Sequence, residues 1–443
     1  MPPTASSARR HDREILALAL PAFGSLVAEP LFLMTDSAMV GHLGTAQLAG
    51  LGIAAALLST AVNVFVFLAY ATTAAVARSV GARDLSAAIR QGMDGSWLAL
   101  LLGLGLIAVV LPTAPAVIDA FGASATAAPH AVTYLRISAL GLPAMLIVLA
   151  ATGVLRGLQD TRTPLHVAIA GFGANVVLNA VLIYGLDLGV AGSAWGTVLA
   201  QFGMAAAYLR VVLRGARAHG ASLRPTAAGV LASARAGVPL LIRTLSLRGV
   251  LLIATAVATR LGDVDVAAHQ VTLTVWTLLA LALDAIAIAG QAIIGRYLGA
   301  DDAAGARSAC RRMIWWGMVS GVAIGVLLAA TSPLLPRLFT GDEAVHERLL
   351  PVLLVVAVTQ PVAGVVFVLD GVLMGAGDGP YLAGAMLLTL TVFTPVALLV
   401  PELGGGLTAL WWALAGLMMG TRLVTLLLRT RSGRWAVTGA VRA

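Results

Sequence analysis

The chain has 443 residues, 59% of them hydrophobic and only 11% charged, with a mean hydropathy of +0.95. A soluble domain carries about a quarter charged residues, so this composition excludes a fold solvated by water alone and selects a bilayer. The net charge of +8 rests on basic residues that are all arginine and lie scattered between apolar segments, which excludes the single basic patch of a nucleic-acid-binding surface.

Apolar windows long enough to cross the hydrocarbon core predict twelve helices, over roughly 14–38, 47–72, 94–118, 131–155, 165–185, 190–214, 234–260, 267–294, 312–336, 346–374, 381–401 and 407–430. The first holds Glu29 and Asp36, seven residues apart and therefore on one face, together with Pro21 and Pro30, which predict a bend. Arg78, Arg83 and Arg90 follow the second, and Arg156 and Arg162 follow the fourth. The fifth carries Asn175 and Asn179 four residues apart, and the sixth carries Thr197. Arg243 and Arg248 lie within the seventh, Asp284 and Gln291 share a face of the eighth, and Asp370 lies within the tenth. Arginines gather at alternate ends of the helices, and the positive-inside rule then places both termini in the cytoplasm of a multi-pass protein of the cell membrane.

An internal repeat runs through the chain at an offset of 218 residues. It pairs Pro21 with Pro239, Arg78 with Arg296, Asp84 with Asp302, Pro115 with Pro333, Pro143 with Pro361 and Asp160 with Asp378. Alanine and leucine matches are cheap in this composition, but proline, arginine and aspartate are scarce. Six helices per half make the repeats parallel, related by an axis along the membrane normal. The expected fold is an all-α integral membrane protein of two six-helix bundles, residues 1–218 and 219–443, the frame of an alternating-access transporter.

A carboxylate at mid-bilayer costs about 2.5–3.5 kcal/mol, so the few present need a reason. The repeat mates of Asp36, Asp284 and Asp370 are Ala254, Val66 and Thr152, so charge departs from a symmetry that the scaffold keeps. Asp36 with Asn175, Asn179 and Thr197 could form a proton site or supply oxygens to a hard cation; the amides and the hydroxyl could equally be hydrogen-bonding glue between helices. Glu29, Arg243, Asp284, Gln291 and Asp370 are candidates to line a substrate cleft, while Arg243 and Arg248 could instead be fixed struts paired with Asp284 or Asp370. Cys310 is the sole cysteine, and neither a His/Cys cluster nor a metalloprotease or nucleophile-elbow motif occurs, so no metal, cofactor or enzymatic activity is expected.

The segments AEPLFLMTDSAMVGHLG around Asp36, ARSVGARD, NVVLNAVLIY around Asn175 and Asn179, and VLRGLQDTRTP occur in order at these spacings. With RTLSLR, ALDAIAIAGQ and VLDGVLMGAGD they make the chain resemble the multidrug and toxin extrusion (MATE) transporters, in their DinF-like branch. The resemblance implies that Asp36 with Asn175, Asn179 and Thr197 serves coupling in the first lobe. It also implies that Asn179 stands where some proton-coupled relatives carry a second Asp, and Arg243 and Arg248 lie in the helix where sodium-coupled relatives carry an acid. The expected function is antiport that exports small amphipathic molecules in exchange for protons, with sodium the other coupling ion, by a monomer whose partners are those molecules and the bilayer. A flippase of lipid-linked precursors on a related two-lobed fold is the alternative.

Overall fold

The computed structural model describes residues 5–339 and 341–440, and among them there is no β-strand. Twelve helical spans follow one another: α1 Ala5–Gly41, α2 Thr45–Gly81, α3 Leu85–Ala120, α4 from Ala128–Ala139 and Leu142–Gly157 bent by 51°, α5 Arg162–Gly185 and α6 Gly189–Ala218. The second series is α7 Ala227–Leu261, α8 Asp263–Gly299, α9 Ala303–Thr331, α10 Glu343–Gly375, α11 Gly379–Glu402 and α12 Leu407–Arg431. Each predicted span overlaps one of these helices, which mostly run longer; the ninth instead ends at Thr331, five residues before the expected 336. The starts expected at 94 and 312 lie nine residues late, because Asp84 and Asp302 cap the helices outside the apolar window, accepting from the backbone N–H of Ala87 (2.8 Å) and Gly305 (2.7 Å).

Two compact units form. One is Gly24–Gly237; the other runs from Val238 onward and includes the residues up to Phe23. Two helices therefore change unit along their length, α1 beside Pro21 and α7 beside Pro239, and those prolines are repeat mates. Each frees a carbonyl one turn back and weakens the helix there.

The unit Gly24–Gly237 is built on α4. Gly153 of α4 lies against the backbone of Ala69 of α2, Gly157 against that of Thr73, and Pro143 against Gly103 of α3, each contact too close for a Cβ on the glycine. The other unit is built on α10 by the same contacts 218 residues on: Gly371 with Ala287 and Gly375 with Gln291 of α8, and Gly321 of α9 with Pro361. Lipid is as apolar as leucine, so close packing through small residues holds these helices together. The turns repeat as well. Positive φ occurs at Arg83 (62°) and Asp301 (58°), at Gln159 (65°) and Gly377 (70°), and at Gly44 (142°) and Gly262 (124°).

The repeat is broken at several prolines and turns. The turn at Phe65–Val66 interrupts α2, whereas α8 is continuous at their mates Leu283 and Asp284. The bend before Pro143 interrupts α4, whereas Pro361 sits inside an unbroken α10. Pro115 lies inside α3, whereas α9 ends before Pro333.

Candidate functional site

Asp36 lies in the part of α1 that belongs to the Gly24–Gly237 unit, five residues before that helix ends, and is 4% exposed. Three neutral groups donate to its carboxylate. Oδ1 accepts from Asn179 Nδ2 at 2.7 Å and from Ser193 Oγ at 2.7 Å, and Oδ2 accepts more loosely from the Tyr134 hydroxyl at 3.4 Å. The network continues as Asn179 Nδ2 donates to Asn175 Oδ1 at 3.0 Å and Asn175 Nδ2 donates to Thr197 Oγ1 at 3.1 Å. The four residues expected to gather thus form one connected chain across α1, α5 and α6.

Local structure explains the convergence. Asn175 and Asn179 are one turn apart on α5, and Ser193 and Thr197 are one turn apart on α6, so each pair presents one face to the other. Gly192 lets α6 reach the α5 backbone at Leu182, and Gly196 leaves the space that the Asn179 amide fills. Directly after Asn179 the helix widens into a π-turn, Val181–Gly185, whose Tyr184 hydroxyl donates to the Met39 carbonyl of α1 at 2.6 Å. Such turns recur where a helix must re-aim its side chains. Val40, Leu51, Ala54, Ile118, Ile183 and Ala194 form the packed apolar cluster around Tyr134.

Two oxygens in this network keep unused capacity. Asn179 Oδ1 and Ser138 Oγ are buried without hydrogen-bond partners. Asn179 is bound into the network through its Nδ2, which donates to both Asp36 and Asn175. Among the described residues, no group of three His, Cys, Asp or Glu side chains converges as a metal site.

The other unit holds a second carboxylate in opposite surroundings. Asp370 of α10 is 4% exposed and accepts from Arg243 of α7 at 2.6 Å and from Arg422 of α12. Arg422 is equally buried, lies over the Phe367 ring and also feels Asp284 of α8. About 10 Å³ of space remains between Arg243, Asp370, Met386 and Arg422, no more than one water requires. Gln291 is 1% exposed where Gly375 meets α8, Asp284 is half-buried, and Glu29 and Arg248 are exposed.

Sequence reasoning missed Ser193, Tyr134 and Arg422. Ser193 could have been found, since it precedes Thr197 by one turn. Tyr134 carries no signal of its own, because a tyrosine in an apolar segment reads as core. Arg422 is spaced seven and twelve residues before Arg429 and Arg434 and reads as one more arginine of a cytoplasmic helix end.

The family model described as MatE matches residues 21–181 and again residues 239–399, so the second match begins and ends 218 residues after the first. The chain is 30% identical to Protein DETOXIFICATION 44, chloroplastic, of Arabidopsis thaliana, over 95% of this chain and 83% of that protein. It is also 30% identical to DNA damage-inducible protein F of Escherichia coli (strain K12), over 91% of this chain and 88% of that one. A MATE crystal structure in the bent conformation superposes with a TM-score of 0.88 at 21% identity, covering 98% of this chain and 99% of the other, which shows the same fold. These relatives displace the flippase alternative. Two family matches at the offset of the internal repeat, in a helical membrane protein whose packing contacts repeat at that same offset, make the chain a member of the MATE family of membrane transporters.

Proposed function

We propose that the chain is a secondary active exporter that expels small amphipathic organic molecules in exchange for protons, with Asp36 the group that binds and releases the proton. The observation that carries this reading is the contrast between the two buried carboxylates. Asp370 is neutralised by two guanidiniums and has no cause to change charge. Asp36 is held only by neutral donors, so the arrangement supplies hydrogen bonds but no counter-charge. A carboxylate kept in that state at membrane depth is poised to take up a cation, and a proton is the smallest.

Protonation would act through the geometry. Oδ1 already accepts two hydrogen bonds, so the added proton belongs on Oδ2, which faces the Tyr134 hydroxyl. Asp36 would then donate to Tyr134, and the tyrosine proton would swing toward Thr197 or the unpartnered Ser138, both of which face it. Neutralising Asp36 also weakens its hold on Asn179 and Ser193, which frees α1 to move relative to α5 and α6. Asp36 lies about 7.5 Å from the end of α1, on the side remote from the N-terminus, which in a cell membrane with cytoplasmic termini is the outer side. External protons would then enter and displace cargo bound to the deprotonated form, the two competing for overlapping states.

Sodium is the second reading, favoured by one observation: Asn179 Oδ1, Asn175 Oδ1 and the Asp36 carboxylate are oxygens of the kind a hard cation uses. Reconstitution into vesicles decides between them. The expected result is that efflux of a dye follows an imposed pH gradient and not an imposed sodium gradient. Asp36→Asn should remain folded, as judged by an unchanged melting profile, and lose coupled efflux; full gradient-driven transport by that variant would overturn the assignment. A panel of cationic and anionic dyes in the same vesicles identifies the preferred charge of the cargo, and size-exclusion chromatography with light scattering tests the expected monomer.

A further inference from the structure

We propose that the exposed face of α6 is a binding site for one anionic phospholipid, held by Arg210, Arg214 and Arg217. The three arginines recur at four and three residues, so they project from one face of the helix. With Ala206, Leu209 and Leu213 they form one continuous, open surface along α6. The side chains of the three make no hydrogen bond, ion pair or ring contact with another described residue. In that they differ from Arg243, Arg296, Arg312, Arg348, Arg422 and Arg429, each of which is paired with a carboxylate.

The same face continues toward the other end of α6 as an exposed apolar strip. Phe202 is 49% exposed, Leu199 48% and Trp195 40%, and each falls on the helical face that carries the arginines. From Arg210 to Trp195 the strip measures about 22 Å, longer than the ~15 Å depth of one leaflet. A surface with three unneutralised guanidiniums at one end and a leaflet-length apolar run behind them complements a molecule of the same polarity pattern. That molecule has a phosphate-bearing, negatively charged head and acyl chains. Guanidiniums meet phosphate oxygens in a bidentate fork, and basic clusters beside a membrane helix favour anionic over zwitterionic lipid heads. Soluble anions match the arginines but leave the strip unused, and neutral lipids match the strip but leave the arginines without counter-charge.

Native mass spectrometry of the full-length protein, delipidated in detergent and titrated with phosphatidylglycerol or phosphatidylcholine, tests this. The expected result is tighter retention of phosphatidylglycerol. The triple change Arg210→Gln, Arg214→Gln and Arg217→Gln should reduce that preference by about 100-fold, at roughly five-fold for each arginine removed. Arg307→Gln with Arg311→Gln, exposed elsewhere, should leave it unchanged. If the triple variant does not fold, the single change Arg214→Gln reads the same comparison at roughly five-fold. Equal retention of the two lipids by the unmodified protein overturns the proposal, as does an unaltered preference in the arginine variants. Displacement of phosphatidylglycerol by inorganic phosphate at comparable concentration also overturns it, since that would make the site one for soluble anions.

Discussion

At the scale of single residues, the protein treats its two buried aspartates in opposite ways, and substitutions should separate them. Asp370→Asn removes the carboxylate that Arg243 and Arg422 share, in a space that admits about one water. Removing one partner of a buried ionic cluster costs about 3–5 kcal/mol, so this variant should melt well below the unmodified protein in detergent, whereas Asp36→Asn, which trades one acceptor among neutral donors for another, should melt near it. Comparable losses from both changes would show that Asp36 too is structural. Gly196 offers a subtler test. A methyl there meets the Asn179 amide oxygen, so Gly196→Ala should push Asn179 off Asp36 and lower gradient-driven efflux at least ten-fold while both carboxylates remain. Unchanged efflux in that variant would show that the Asn179 bond is dispensable. The positions of Asp36, Asn175, Asn179 and Thr197 were legible in the sequence because an ionisable or amide side chain in an apolar helix stands out. Ser193 and Tyr134 were not, because nothing in α4 or α6 alone states that their hydroxyls converge on α1. The Arg422–Asp370 pair was hidden for the same reason, since pairing is a tertiary fact and helix-end arginines are ordinary in membrane proteins.

At the scale of elements, α1 is one of the two helices, with α7, that run from one compact unit into the other. Its first part is fastened to the unit that starts at Val238. Asp12 accepts from Arg312 through both oxygens (2.6 and 2.7 Å) and from Trp316 Nε1 at 2.8 Å, Glu14 pairs with Arg296, and Ile15 is 1% exposed. Its last part carries Asp36 and belongs to the Gly24–Gly237 unit, so Pro21 stands next to the division between the anchored segment and the segment that carries Asp36. The anchor is about a quarter exposed, and such pairs contribute modestly even when bidentate. A double-mutant cycle of Asp12→Asn and Arg312→Gln should give a coupling of about 0.5–1 kcal/mol in thermal stability. On the proposed mechanism efflux should fall in both single variants, because a frayed anchor no longer holds the first part of α1 when the part carrying Asp36 moves. A coupling of zero with full efflux would show that the apolar contacts of Ile15, Leu18 and Ala22 hold this segment without the ion pair.

At the scale of the whole molecule, the duplication read from scarce residue types is also a duplication of backbone and packing. The fold was legible for that reason: prolines, arginines and aspartates mark caps, bends and turns, and these are the features that a repeat must preserve for two bundles to pack alike. The breaks in the repeat were not legible, because Pro143 and Pro361 look identical in sequence while one follows a bend and the other lies within an unbroken helix. The equivalence of the turns leads to a prediction with opposite signs at mated positions. Gln159 and Gly377 both close a helix with φ near 70°, where a side chain costs about 1 kcal/mol relative to glycine. Gly377→Gln should therefore lower stability by about 1 kcal/mol, while Gln159→Gly should leave it unchanged or raise it. Melting of the two full-length variants in one detergent checks both signs together. A loss at Gln159 as large as that at Gly377 would mean that the glutamine side chain contributes to its turn, and that the halves, alike in backbone, have diverged in how they hold it.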